Sequence, residues 1–187
     1  MTSGPDKVPS FLVKDTVPAL VNALVIIFNL ILSKGEFPNI WKESKVCPVY
    51  KAGVRDDITN YRPISIINNF AKLLEIILYN RIYPEICNLI SESQHGFMNH
   101  KSTVTNLAVF TQLTSNVLDH QGQLDVAYTD FSKAFDKLDH EILIAKLSAL
   151  GFDKRSLVLL QSYLNNRKLH VTYNGFESSH YAASSGV

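Results

Sequence analysis

The stretch that decides the fold is DVAYTDFSKAFDKLDHE, residues 125–141. The apolar and aromatic run at 124–129 (LDVAYT) predicts a short strand, and Asp130 follows it directly. A strand that ends in a carboxylate delivers it where a sheet opens into a cleft. Hard cations such as Mg²⁺ prefer carboxylate oxygens there and complete their coordination with water and substrate phosphates. Asp130 is therefore a candidate metal ligand, and an ordinary strand-end aspartate is the alternative.

The remaining carboxylates of this stretch have a simpler interpretation. Asp136, Asp139 and Glu141 are typical of helix caps and of solvated charge. We expect Asp139 to cap a helix that Gly151 closes. Asp153 should cap a second helix that runs to about Asn165.

Working outward, the rest of the chain alternates short strands with longer helices. We expect strands at 45–50 and 168–173, the second joined to 176–183 by an Asn174-Gly175 turn, and a polar loop at 51–62. Helices are expected at 69–82, where Pro84 stops the pattern, and at 103–118, after a loop at 91–102. The sequence thus predicts an α+β fold, an α/β-like mix, in one compact unit.

An apolar run at 17–32 raises the question of a membrane segment. It has about 16 residues, short of the ~20 that a bilayer crossing needs. Asn22 and Asn29 lie on one helix face, and no basic region precedes the run. We expect a buried or amphipathic helix ending at Gly35 and no membrane partner; a membrane segment is the alternative.

Composition excludes several functional classes. Of 187 residues, 46% are hydrophobic and 19% charged, too apolar for a disordered tail. The net charge of +1 means that any nucleic-acid binding must come from a local patch. Cys47 and Cys87 have no zinc-type spacing and no disulfide partner is expected, which favours an intracellular setting. P-loop, Rossmann, zincin and hydrolase-elbow motifs do not occur in the sequence.

A basic and aromatic stretch covers residues 37–62. Arg62 precedes Pro63 and should therefore be extended, a form from which arginine can bind phosphates in bidentate fashion. Acidic residues interrupt the stretch, so a solvated loop remains an open alternative to a nucleic-acid surface. Its basic residues and rings are Lys42, Lys45, Lys51, Arg55, Arg62, Phe37, Trp41, Tyr50 and Tyr61.

Taken in order, three motifs resemble one family. They are NYRPISI at 60–66, QHGF at 94–97, and YTDFSKAFD at 128–136 with His140 downstream. Together with their surroundings, they resemble the reverse transcriptases of non-LTR retrotransposons. The resemblance covers nearly the whole chain, in the segments 28–42, 46–82, 90–107, 126–152, 162–171 and 184–187. Its character is closest to that of the jockey-like elements of arthropods. QHGF, read on its own, is better explained as a structural turn.

The resemblance implies a right-handed polymerase, with fingers at about 1–120 and a partial palm at 121–187. It implies an RNA-directed DNA polymerase that uses Mg²⁺ to join dNTPs to a DNA primer on an RNA template. A nuclear location is expected for the parent element.

The resemblance also implies residue roles. Asp130 would be the first metal-binding aspartate, assisted by the backbone carbonyl of Phe131. Phe135 would be the aromatic gate that excludes a 2′-hydroxyl, and Arg62 would contact the incoming triphosphate beside Lys51. On the template side the matching residues are Gln94, Gly96 and Phe97.

The sequence departs from the family pattern in one respect. The family continues beyond SSGV with a PQG turn, an aromatic-x-Asp-Asp strand pair and a thumb, and carries an upstream endonuclease. Asp130 supplies only one side of a two-metal site. We therefore expect a truncated or decayed piece that is inactive alone. The alternative is a non-catalytic module that binds nucleic acid or a partner through residues 42–62.

Overall fold

The computed structural model describes residues 3–183, 185 and 186, which form two compact units. One unit contains the described residues up to 75 and from 133 onward; the other contains 76–132. The helices are α1 Ser10–Lys34, α2 Asn69–Ile86, α3 Thr103–Asp119, α4 His140–Ala149 and α5 Lys154–Leu164. The strands are β1 Glu43–Tyr50, β2 Tyr61–Ile66, β3 Lys168–Tyr173, β4 Phe176–Glu177 and β5 Tyr181–Ala182. The expected mixture of helix and sheet is confirmed.

The sheet of the first unit is mixed. Its order is β2-β1-β3-β4, and β5 also pairs with β3. β1 runs antiparallel to β2, with Val49 opposite Arg62, and parallel to β3, with Glu43 opposite Lys168. The sequence did not predict β2, because 51–62 was interpreted as loop as far as Arg62.

Aromatic packing organises the core of this unit. Phe37 is buried and makes edge contacts with Trp41 and Tyr163, at centroid distances of 6.0 and 5.0 Å. The Tyr163 hydroxyl donates to Oε1 of Glu75 at 2.7 Å. Burial, together with the neighbouring Glu75 carboxylate, raises the pKa of Tyr163 to about 12. Tyr163 therefore remains a neutral donor that ties α5 to α2.

The N-terminal helix is longer than the apolar run of about 16 residues from which it was predicted. α1 has 25 residues, so its apolar run extends over a length that suffices to cross a membrane. Val13, Phe28 and Ile31 are buried, and α1 packs against α5. However, only 17% of its most apolar window, of mean hydropathy 2.1, is buried. A membrane span and a signal sequence share these properties, and the absence of a membrane partner stays a prediction. Gly35 ends the helix, as expected.

The helix α2 also differs from its prediction. It continues through Pro84 to Ile86, so the expectation that Pro84 stops it is wrong. A proline removes one N–H donor and bends a helix, and near the last turn this loss is small. Of the apolar stripe that predicted this helix, Leu74 is fully buried and Ile77 is half exposed.

The predicted caps at Asp139 and Asp153 are confirmed, and a third helix begins with a cap that was not predicted. Oδ1 of Asp139 accepts from the Ile142 N–H at 2.9 Å and begins α4. Asp153 accepts from the backbone of Arg155 and Ser156 and begins α5. In the second unit, Ser102 begins α3 with a capping box.

The hairpin after α5 has the expected two-residue turn. Asn174 and Gly175 have φ values of 49° and 82°, the left-handed conformations that a type I′ turn requires. The returning segment is divided into β4 and β5, and both pair with β3.

The predicted strand at 124–129 is wrong. Residues 122–131 have no regular secondary structure, and all of them except Leu124 are exposed. A β-strand forms only where a neighbouring strand pairs with its backbone N–H and C=O groups. Within the described residues no segment pairs with this one.

Candidate functional site

Asp130 lies in the irregular segment of the second unit and is exposed. No ion pair involves its carboxylate among the described residues. The side chain of the following residue, Phe131, is 86% exposed. Two residues earlier, Tyr128 packs 6.3 Å from Phe110 of α3, ring centroid to ring centroid. Asp130 is thus an accessible carboxylate on a segment anchored by one aromatic contact.

The described residues do not complete a magnesium site at Asp130. Within this part of the chain, the one cluster of three histidine, cysteine or acidic side chains close enough to share an ion does not include it. Mg²⁺ takes oxygen ligands, commonly from carboxylates and phosphates. Asp130 therefore fits one ligand of such an ion and no more.

Phe135 lies in the first unit, in the turn at 132–137, and is 60% exposed. It borders a cleft of about 550 Å³ whose floor is formed by the sheet. The other residues lining the cleft are Val46, Pro63, Ile64, Ser65, Asp136, Arg167, Leu169, Tyr181, Ala182, Ala183, Ser185 and Gly186. An aromatic side chain thus stands at the mouth of a semi-polar cleft.

The C-terminal residues hold this turn in place. The Gly186 N–H donates to the Leu138 carbonyl at 3.0 Å, and the Ser185 hydroxyl donates to the Asp136 carbonyl at 2.9 Å. Nε2 of His140 lies 2.7 Å from the Gly186 carbonyl oxygen. A Cβ on Gly186, whose φ is +84°, would lie 2.8 Å from the carbonyl oxygen of Phe135. Only glycine fits this close approach.

Arg62 and Lys51 share one end of the β1–β2 hairpin, and both are exposed. Arg62 lies opposite Val49, and the Lys51 N–H donates to the Asn60 carbonyl at 2.8 Å, which continues the pairing by one step. Residues two apart on a strand share a face, as do directly opposed residues. The register therefore places both cations on the same face of the hairpin. The expected extended backbone at Arg62 is confirmed.

The loop of this hairpin is exposed and carries specific side-chain contacts. The Tyr61 hydroxyl donates to the Arg55 carbonyl at 2.9 Å, and the Arg55 guanidinium lies 4.9 Å above the Tyr50 ring. Asp57 accepts from the side chain and backbone N–H of Thr59, and these hydrogen bonds lower its pKa. The Arg55 side chain is thus exposed, with its guanidinium packed on the Tyr50 ring.

Two residues of the basic stretch lie in the core. Lys42 and Phe37 are buried, so at these two positions neither a solvated loop nor a nucleic-acid surface is present. Burial lowers the pKa of Lys42, and the nearby Arg167 lowers it further. Sequence patterns did not single out Arg167, which is buried, donates to the Ser44 hydroxyl at 2.9 Å and lies 4.9 Å above the Tyr163 ring. Its burial depends on tertiary contacts that no local pattern encodes.

The QHGF loop forms a turn, as expected from its composition. Nε2 of Gln94 donates to the Gly96 carbonyl at 3.1 Å, and His95 lies 2.9 Å from the Thr105 hydroxyl through Nδ1. Phe97 has a φ of 61° and is 89% exposed. A template-side role for Gln94, Gly96 and Phe97 stays a prediction.

Comparison with known protein families decides the affiliation. Residues 49–187 match the model of the family described as reverse transcriptase (RNA-dependent DNA polymerase). The chain belongs to the reverse transcriptase family. The matched range includes the β1–β2 hairpin end, the QHGF loop, Asp130 and the Phe135 turn.

Relatives of this reverse transcriptase chain come from mobile elements. It is 28% identical over 167 residues to the RNA-directed DNA polymerase from mobile element jockey of Drosophila melanogaster. It is 30% identical over 167 residues to that of Drosophila funebris, and 30% identical over 151 residues to a probable RNA-directed DNA polymerase from transposon BS. These alignments cover 79–88% of the chain and 17–18% of the relatives. The chain thus spans less than a fifth of the length of these relatives.

Proposed function

We propose that this chain is part of the RNA-directed DNA polymerase of a jockey-like retrotransposon, which transfers dNMP to a primer 3′-hydroxyl on an RNA template. The observation that carries the proposal is the family match over 49–187, which includes an exposed aspartate in the YTDFSKAFD motif. In this assignment 1–120 belong to the fingers and 121–187 to the palm of a right-handed polymerase.

Asp130 is assigned as a metal ligand, with the Phe131 backbone carbonyl as its neighbour. Exposure and the absence of an ion pair among the described residues support the assignment, because a ligand must be accessible and uncommitted. Divalent ions in polymerases stabilise the attacking and leaving oxygens of an in-line displacement. Asp130 contributes one carboxylate, and the remaining ligands must come from outside the described residues.

Arg62 and Lys51 are assigned to the triphosphate of the incoming nucleotide. Their shared face and exposure support this role, since two cations on a rigid hairpin offer a fixed site for phosphate oxygens. Arginine adds bidentate hydrogen bonds, whereas lysine adds a mobile point charge. The ring-held loop at Arg55 makes this end of the hairpin stiff and reduces the entropy lost on binding.

Phe135 is assigned to sugar recognition. Its position at the mouth of the cleft supports the role, because a flat ring beside the ribose leaves no space for a 2′-hydroxyl. The hydrogen bonds of Ser185 and Gly186 to the turn limit how far the ring can move. Gln94, Gly96 and Phe97 are assigned to the template side, where a glycine allows the backbone to approach nucleic acid closely.

Primer extension by the full-length protein that carries this chain tests the proposal. We expect dNTP incorporation on an RNA template annealed to a DNA primer, with Mg²⁺ present. The chain of residues 1–187 alone should give none, since its described residues supply one carboxylate. Template binding without incorporation by the full-length protein would instead support a non-catalytic nucleic-acid-binding role.

A further inference from the structure

Three side chains with metal-binding chemistry meet near one end of the strands in the first unit. Glu43 is the first residue of β1, His170 lies in β3, and His180 immediately precedes β5. One ligand atom from each lies within 4.8 Å of the other two. The residues are far apart in sequence and lie outside the motifs at 60–66, 94–97 and 128–136.

The distances suit a small cation. Nε2 of His180 lies 2.8 Å from Oε1 of Glu43, and Nδ1 of His170 lies 3.7 Å from the same oxygen. Ligands of a tetrahedral zinc ion at ~2.0–2.1 Å are separated from one another by ~3.3 Å. The observed separations bracket this value, so small side-chain rotations would seat an ion.

His170 provides an independent sign that a ligand is missing. Its side chain is 93% buried, given a relative exposure of 7%. Among the described residues, its Nδ1 atom has no hydrogen-bond partner. Buried polar atoms are almost always paired, and an unpaired one needs an explanation. A cation shared with Glu43 would satisfy this nitrogen.

The backbone fixes all three positions. β1 and β3 are parallel, with Glu43 opposite Lys168, and β5 is antiparallel to β3. The segment before His180 is attached to β3, because the Ser178 N–H donates to the Val171 carbonyl and the Ser178 hydroxyl accepts from the Val171 N–H. Ligands on paired strands lose little entropy when they bind an ion.

We propose that Glu43, His170 and His180 bind one Zn²⁺ ion, with water in the fourth position. Two imidazoles and one carboxylate form a donor set that zinc accepts, whereas Mg²⁺ and Ca²⁺ require oxygen ligands. The ion cross-links the start of β1 to β3 and to the returning β5 segment. It therefore stabilises the sheet at the end of β1 that is farthest from the β1–β2 turn.

Titration of the 187-residue chain with Zn²⁺, in competition with a chromophoric chelator, tests the site. We expect one equivalent to bind, and the melting temperature to rise with free Zn²⁺, because an ion that binds only the folded state stabilises it. Co²⁺ substitution should give the visible absorption bands of a four-coordinate ion. Mg²⁺ at the same concentration should produce neither effect.

Two accessible ligands allow variants that preserve the fold. The His180 and Glu43 side chains are 54% and 38% exposed, so His180→Gln and Glu43→Gln should fold. Each should weaken Zn²⁺ binding by roughly 100-fold. Loss of a residue that only hydrogen-bonds to a ligand already costs about 10- to 100-fold in metal affinity, and loss of a direct ligand should cost at least as much. The control His120→Gln removes an imidazole from the C-terminal end of α3 and should bind Zn²⁺ as the wild type does.

A further variant probes the charge at the site. Lys168 borders the same depression as Glu43 and His180, and its ammonium opposes a bound cation. Lys168→Gln should therefore strengthen Zn²⁺ binding. Wild-type affinity in both His180→Gln and Glu43→Gln, or no Zn²⁺ binding by the wild type beyond that of weak surface sites, would overturn the proposal.

Discussion

Nε2 of His140 donates a hydrogen bond to the carbonyl oxygen of Gly186 across 2.7 Å, and so joins the first residue of α4 to the C-terminal segment. The same glycine donates its N–H to Leu138. Two hydrogen bonds thus close a loop around the turn that carries Phe135. The histidine downstream of the YTDFSKAFD motif therefore has a structural function: it fixes the turn beside the cleft.

The first prediction concerns this hydrogen bond. His140→Phe should lower the free energy of unfolding by about 0.5–1.5 kcal/mol, because the Gly186 carbonyl loses its donor. Hydrogen exchange of residues 133–140 should accelerate at the same time. His120→Phe is the control, since His120 contacts a carbonyl of its own helix. Equal exchange in wild type and His140→Phe would show that the hydrogen bond does not hold the turn.

The second prediction concerns the N-cap of α5. Hydrogen bonds from Ser156, first from its side chain and then from its backbone, lower the pKa of Asp153 below its ordinary value of 3.8. A carboxylate with a lowered folded-state pKa stabilises the fold above its unfolded value, and this stability is lost as pH falls through the folded value. Asp153→Asn should therefore be less stable than wild type at pH 7.

The same variant tests the direction in which stability depends on pH. The stability difference between wild type and Asp153→Asn should shrink as pH falls below about 3.8, as followed by thermal melts. Asp15→Asn, an exposed position in α1, is the control and should show no such convergence. A difference that is constant from pH 7 to pH 2 would contradict an ionised cap.

The sequence predicted correctly those features of the fold that depend only on residues close together in the chain. The caps at Asp139 and Asp153 and the turn at Asn174-Gly175 depend on neighbouring residues alone, and all three are confirmed. The predicted end of α2 was wrong, because a proline near the last turn of a helix removes too little stability to stop the helix there.

Features that depend on distant partners escaped prediction. The segment 124–129 has strand-like composition, but no described strand pairs with it. β2 contains Pro63 and is largely exposed, and it exists because β1 supplies its hydrogen bonds. Burial of Lys42 beside Arg167, and the meeting of Glu43 with two histidines, require three-dimensional contacts that a linear spacing does not encode.

The third prediction concerns phosphate binding. In the full-length protein, Arg62→Ala should raise the KM for dNTP by roughly 10- to 100-fold, because hydrogen bonds to charged groups contribute about 1.5–3 kcal/mol. The value of kcat should change less. Arg155→Ala, which removes one positive charge from an exposed position in α5 outside the hairpin, is the control. Similar KM increases in both variants would indicate a general loss of positive charge instead of a specific contact.

The fourth prediction concerns sugar selection. Phe135→Val in the full-length protein should retain dNTP use and admit ribonucleotides, because a smaller side chain opens space beside the 2′ position. The ratio of kcat/KM for dNTP to that for rNTP measures this. Phe176→Val alters another exposed phenylalanine, on β4, and is the control. A Phe135→Val variant that only melts earlier, with unchanged sugar choice, would mean that the ring serves packing alone.

In the proposed function Asp130 binds the catalytic metal ion, and a pair of asparagine variants separates this role from the loss of a charge. Asp125 lies in the same exposed segment and accepts a hydrogen bond from Gln123 at 2.8 Å, so Asp125→Asn is a matched change of one charge. Template-primer binding should persist in both variants, because phosphate contacts along the backbone dominate that affinity.

Primer extension by full-length Asp130→Asn and Asp125→Asn, measured beside template-primer affinity, is therefore the decisive experiment. We expect background incorporation for Asp130→Asn with unchanged affinity, since a metal ligand acts on the transition state. Asp125→Asn should extend primers at close to the wild-type rate. Extension by Asp130→Asn at the wild-type rate would contradict the assignment.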